Sequence, residues 1–304
     1  MHVCKQAVDA GHTVRGTVRS KGNALKCDPV LAAVPGIELV EADLLSDDGW
    51  AEAVKGVDFV LHVASPFPLQ APANENELIR PAVEGTLRVL KAAVAETGIK
   101  RVVLTSSVAA VSGGHEKTDK LAATEGCGED KVWSEEDWSR VEGCEAYAKS
   151  KTLAEMAAWK YVKEEQPEGR NLELVVINPG FVVGPALIKA PCSSVNVISR
   201  LLKGELPMVP KLHMNCVDVR DVAKAHIEAM EKPVAGQRFL LISTGIWFKD
   251  IGQILADGFR KHGYSPPTVE APYWLLWLVA IFDSHVQIAV KRWGIVSQVS
   301  QSNP

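Results

Sequence analysis

The 304-residue chain reads as an α/β protein built on a doubly wound parallel sheet. Three observations predict this. Four nearly continuous apolar runs, "IELVEADL" (37–44), "VDFVLHVAS" (57–65), "KRVVLTSS" (100–107) and "LELVVINPG" (172–180), end in small or polar residues. Strands buried on both faces of a sheet have that pattern. Helix-length stretches at 46–55, 76–97 and 144–165 separate the runs, and such alternation selects right-handed crossovers. At 47% hydrophobic and 23% charged, the composition supports a sizeable core.

Each element has a local reason. Val3, Ala7, Val8 and Ala10 give a short opening helix that Gly11-His12 closes. The β-branched residues Thr13, Val14, Thr17 and Val18 then predict a strand ending at Arg19. After Gly180 the chain changes character, with Pro179, Pro185, Pro191, Pro207 and Pro210 interrupting it. A smaller domain over 180–304 is expected there. "NCVDVRDVAKAHIEAM" (215–230) and "QRFLLIS" (237–243) are expected to return to the main sheet of residues 1–179. The apolar window "YWLLWLVAIF" (273–282) is about half a membrane span and predicts a core helix or a pocket wall, with an interfacial anchor as the minor alternative.

Composition also excludes. A net charge of −4 gives no electrostatic case for nucleic acid or an anionic membrane. The six cysteines are scattered without a C-x-x-C pair or zinc spacing, so reduced thiols, a cytoplasmic location and no metal are expected. No signal-peptide pattern opens the chain. Isolated His62, His226 and His262 read as packing or surface residues, and "WSEEDW" (133–138) as a surface loop near the site mouth.

The chemistry is carried by "YAKSK" (147–151). Tyr147 and Lys151 are four apart on a helix and share a face. A phenol titrates near pH ~10, and a neighbouring ammonium eases its proton transfer at neutral pH. The pair suits an acid that protonates a carbonyl oxygen while hydride arrives at the carbon. Ser107, at a strand end, can hold the same oxygen by a hydrogen bond. Y-x-x-x-K alone occurs on many solvated helices; the upstream Thr-Ser-Ser strand end and the α/β alternation give it weight.

With "TVRGTVRS", "ADL" (42–44), "HVASP", "VVLTSSVAAV", "YAKSKTLAE", "NPGFVVGP" and "VDVRDVAKAH", in that order over most of residues 1–290, the sequence resembles extended short-chain dehydrogenases/reductases of the NAD-dependent epimerase/dehydratase family. The similarity is to the branch of dihydroflavonol and cinnamoyl-CoA reductases. It implies a Rossmann-like cofactor domain over 1–179 and a substrate domain over 180–304. It also implies a catalytic triad of Ser107, Tyr147 and Lys151, with Lys151 on the nicotinamide ribose. Asp43 and Leu44 would lie beside the adenine, Val63, Ala64 and Ser65 along the cofactor, and Pro179, Gly180, Phe181 and Val182 near the nicotinamide. An acid commonly ends the second strand of NAD-binding units, whereas a cation there accommodates a 2′-phosphate. Arg19 stands at that position, and the resemblance places Arg19 and Lys26 on phosphate contacts, so NADPH is the expected cofactor.

The expected activity is therefore reduction of a small or medium aldehyde or ketone by a monomer or homodimer. Nucleotide-sugar epimerase or dehydratase chemistry is the alternative, because the same triad serves it. Narrow substrate classes are not matched: Ser112 replaces the asparagine of flavonoid-reducing relatives, and "EGCEAYAKSK" lacks the cinnamoyl-CoA reductase motif. A further expectation concerns Met1. The opening helix begins where a first strand and glycine-rich turn would already have passed, which predicts an incomplete sheet and weak cofactor binding or a non-catalytic chain.

Overall fold

The computed structural model describes residues 1–65, 74–115, 131–189, 193–281, 290, 292–296 and 298–299. The order is α1 (His2–Asp9), β1 (Arg15–Val18), α2 (Ala24–Ala33), β2 (Glu38–Glu41), α3 (Trp50–Val54), β3 (Phe59–His62), α4 (Asn76–Ala95) and β4 (Arg101–Thr105). There follow β5 (Val132–Trp133), α5 (Ala146–Lys160), β6 (Glu173–Pro179), β7 (Phe181–Val183) and α6 (Ser193–Leu202). The chain closes with β8 (His213–Asp218), α7 (Val219–Glu231), β9 (Arg238–Leu241), β10 (Thr244–Trp247), α8 (Phe248–Phe259), α9 (Tyr273–Ala280) and β11 (Gln298–Val299). Pro66, Cys127, Pro191, Cys192 and Phe282, which belong to stretches the sequence analysis singled out, lie outside the described residues.

Strands β3, β4, β6 and β9 form a parallel sheet in the order β3-β4-β6-β9. Side chains alternate across a strand, and both faces of this sheet are covered. Val102, Leu104, Leu174 and Val176 meet Leu90 and Ala93 of α4 and Ala158 and Trp159 of α5 on one face. Val103, Val175 and Ile177 meet Ala7 of α1 and Ile227 and Met230 of α7 on the other. The doubly wound α/β reading of the sequence thus holds for the architecture.

Strands β1 and β2 pair in parallel as a separate two-stranded sheet. Among the described residues neither hydrogen-bonds to β3, so β1 and β3 each keep one ladder edge without a strand partner. A second small sheet, β10-β8-β7, lies past the end of β6. This corrects the expectation for 215–243. Strand β8 does not re-enter the main sheet but pairs with β7, because β7 follows β6 after a single residue and draws β8 to it. The return comes with α7 and β9.

Two further expectations are corrected. Residues 133–138 are not a surface loop: Trp133 and Glu135 are buried, and Glu135 accepts the N–H of Leu240 at 3.2 Å. Helix α9 is not a core helix among the described residues, since Trp274 and Trp277 are 63% and 53% exposed and only Ala280 of the helix is buried. No helix among the described residues is long and apolar enough to cross a membrane.

Candidate active site

The carboxyl ends of the parallel strands converge on one crevice edge, the usual ligand side of an open α/β sheet. Strand β4 ends at Thr105, and Ser106 and Ser107 follow, both buried. The end is fixed from two sides. Ser106 N–H donates to the carbonyl of Ile177 at 2.7 Å, and Thr105 Oγ1 lies 2.6 Å from Nε2 of the fully buried His226. Since His226 Nδ1 meets the carbonyl of Val222 at 2.7 Å, Nδ1 carries the proton and Nε2 accepts from Thr105. Burial lowers the pKa of this imidazole, keeping it in that neutral form.

Ser107 caps a single 3₁₀ turn, its Oγ accepting the N–H of Ala109 at 3.1 Å. Helix α5 packs beside this turn. Tyr147 and Ser107 share a side-chain hydrogen bond, and burial raises the phenol above its ordinary pKa against the lowering by that bond. Tyr147 therefore stays a protonated acid at neutral pH. Lys151, one turn on, is 8% exposed; burial brings its pKa down to about 8, partly opposed by the Glu155 carboxylate. On the other side His62, at the end of β3, is held neutral by burial and by the Lys151 charge, with a pKa of about 4. The structure thus brings Ser107, Tyr147 and Lys151 together.

The residues expected around a cofactor lie along the same edge. Arg19 follows β1 directly and is exposed, as is Lys26 on α2. The Arg19 loop is held by Lys21 N–H donating to Glu41 Oε1 at 2.6 Å, a contact the sequence analysis did not foresee. Asp43 and Leu44 form a turn after β2, with Asp43 Oδ1 accepting the N–H of Leu45 at 3.0 Å. Leu44 rests on α4 at Gly85, where an added Cβ would lie 3.0 Å from Leu44 Cβ. Val63, Ala64 and Ser65 extend from β3, and Pro179 to Val182 link β6 to β7. At Gly180 an added Cβ would sit 2.1 Å from the carbonyl oxygen of Asn215. Only glycine lets β8 approach so closely.

A cavity of about 540 Å³ opens past these strand ends, lined by His213, Asn215, Ser243 and Thr244 among others. Another cavity, about 650 Å³, lies between α3 and α4, and neither of the two is lined by a residue the sequence assigned to the site. Sequence reasoning missed Asn178, Glu155 and Arg238, all buried behind the site. The signal was faint: Asn178 stands inside the quoted "NPG" and Glu155 inside "YAKSKTLAE".

A parallel sheet wound on both faces, with a serine, a tyrosine and a lysine meeting at its carboxyl edge, defines a Rossmann-like protein of the short-chain dehydrogenase/reductase type. The sequence profile of the NAD dependent epimerase/dehydratase family matches residues 1–242, and the chain belongs to this family. It is 35% identical to a cinnamoyl-CoA reductase of Medicago truncatula over 258 residues, covering 81% of this chain and 73% of that protein. It is also 35% identical to tetraketide alpha-pyrone reductase 1 of Arabidopsis thaliana over 261 residues, covering 83% and 75%. Among solved structures, the yeast methylglyoxal/isovaleraldehyde reductase complexed with NADPH superposes with a TM-score of 0.75 at 29% identity, covering 88% of this chain and 81% of that one.

Proposed function

We propose that the protein is an NADPH-dependent reductase of a small or medium aldehyde or ketone. The observation that carries this is the Ser107–Tyr147 hydrogen bond with a buried lysine one turn away. Among the described residues the Lys151 ammonium has neither an ion pair nor a hydrogen-bond acceptor. A buried donor of this kind calls for an acceptor, and ribose hydroxyls fit the need. When bound, the nicotinamide supplies the hydride. Arg19 and Lys26 would meet its 2′-phosphate, Asp43 and Leu44 the adenine, Val63 to Ser65 the middle of the cofactor, and Pro179 to Val182 the nicotinamide side.

The chain's own groups divide the remaining work. Ser107 Oγ holds the substrate carbonyl oxygen in line with Tyr147, and the phenol gives that oxygen its proton as negative charge develops there. The Lys151 charge stabilises the phenolate left behind. Support comes from the reductases among the relatives, whose names cover aldehyde, ketone and thioester-linked substrates.

Tyr147→Phe should cut turnover at least ~10²-fold, the ordinary scale of general acid catalysis, while leaving the fold intact. NADPH oxidation by this variant across an aldehyde and ketone panel is the test, and undiminished rates overturn the assignment. Sugar nucleotides in the same panel decide the epimerase or dehydratase alternative.

A further inference from the structure

Glu155 is 1% exposed, and it follows Lys151 by one turn and Tyr147 by two, so all three share a face of α5. Its carboxylate is fixed on both oxygens. Oε1 accepts from Arg238 Nε at 2.6 Å and from Trp159 Nε1 at 3.3 Å, and Oε2 accepts from Asn178 Nδ2 at 2.8 Å. The same amide nitrogen donates to the backbone carbonyl of Ser107 at 3.1 Å. Arg238 is clamped in turn by the carbonyls of Glu135 and Asp137, at 2.8 and 2.6 Å, and its guanidinium lies 3.9 Å over the Trp138 ring.

A buried ion pair is a poor way to gain stability, since well-packed apolar residues of the same volume commonly do as well or better. One turn further along the same helix, Ala158 and Trp159 join α5 to Leu174 and Val176 of β6 by apolar contact alone. An apolar side chain at position 155 could extend that seam. It would not place a negative charge one turn from Lys151, nor tie that charge to the backbone of Ser107.

We propose that Glu155 is a positioning residue of this site, a fixed counter-charge that acts on the reaction through Lys151 and is held in place by Arg238 and Asn178. The groups facing Lys151 among the described residues are His62 from β3, Tyr147 and Glu155 from α5, and Arg238 from β9 behind Glu155. His62 is neutral above about pH 4 and Tyr147 is a neutral phenol, so of these groups Glu155 is the one whose carboxylate acts on Lys151. Burial of Lys151 favours loss of its proton and Glu155 opposes that loss.

The inference rests on Lys151 having the role given above, but its test does not need activity. In cofactor-free protein labelled with ¹³C at lysine Cε, the Lys151 signal is assigned by its disappearance in Lys151→Arg, and its titration is followed by NMR. Glu155→Gln keeps the volume and removes the charge, and should move the Lys151 midpoint about one unit to lower pH. In the active enzyme the alkaline limb of kcat/KM should move the same way. Because Glu155→Gln also removes the carboxylate that pairs with Arg238, Glu155→Gln/Arg238→Gln is measured beside it, with a smaller shift of the same sign expected. An unmoved midpoint in whichever of these variants folds makes Glu155 a structural ion pair only and overturns the proposal. A moved midpoint in a protein that reduces no carbonyl upholds it while the reductase reading fails.

Discussion

Ser107, Lys151, Asn178 and Glu155 are 7%, 8%, 0% and 1% exposed, whereas Arg19 and Lys26, at the other end of the crevice, stand in solvent. At the first end, Glu155, Asn178, Arg238 and the Ser107 carbonyl are hydrogen-bonded to one another across four elements, and the backbone beneath them is the centre of a four-stranded sheet. At the second, a two-stranded sheet presents the side chains, and the loop is held by Lys21 N–H donating to Glu41 and by Asn23 N–H and Cys27 Sγ donating to the Ser20 carbonyl. Chemistry at a carbonyl needs groups placed to a fraction of an ångström, so it is built in the dry interior. Recognition of a phosphate needs charge and reach, which exposed cations supply without burial cost.

The largest consequence should be seen in backbone opening. Amides of β4 and β6 should exchange with solvent roughly a thousand-fold more slowly than those of β1, the ratio that about 4 kcal/mol of local opening free energy gives. Hydrogen exchange followed by mass spectrometry measures it, and equal protection in the two sheets would remove the contrast.

Acid should break the dry end first. The folded protein keeps His62 neutral to about pH 4, while an unfolded chain protonates it near its ordinary value of 6.5. Between those values the unfolded state binds more protons, so stability is complete above ~6.5 and falls as pH drops toward 4, by on the order of 3 kcal/mol from this residue. His226, lowered in the same direction, adds to the slope. Melting temperatures across this window should fall less steeply in His62→Gln than in the unaltered protein.

The smallest expected effect sharpens the solvent end. Arg19→Asp should weaken NADPH binding roughly ten-fold, about the value of one charged hydrogen bond, and leave NADH binding unchanged. Titration with both cofactors checks this. Equal weakening of the two would make Arg19 a residue of the β1 fold and not of cofactor choice.

The strands of the main sheet were legible because burial on both faces leaves a run of apolar residues that no solvated element imitates. Ser107, Tyr147 and Lys151 were legible because a strand end and a helical four-residue spacing are local facts. The partners of Glu155 were not, since Asn178 and Arg238 lie 23 and 83 residues away and nothing local pairs them. For the same reason "WSEEDW" read as solvated: its three acidic residues hid that the carbonyls of Glu135 and Asp137 receive Arg238. The split between the β1–β2 pair and the main sheet, and the pairing of β8 with β7, are choices of edge that apolar periodicity does not encode.

Gly180 gives the crevice a fixed gauge. The carbonyl of Asn215 occupies the place where any other residue would carry its first side-chain carbon, so the main sheet and the β7–β8–β10 sheet meet as closely as backbones can. A side chain at this position would have to wedge the two sheets apart, so one missing carbon acts as the shim that sets their gap.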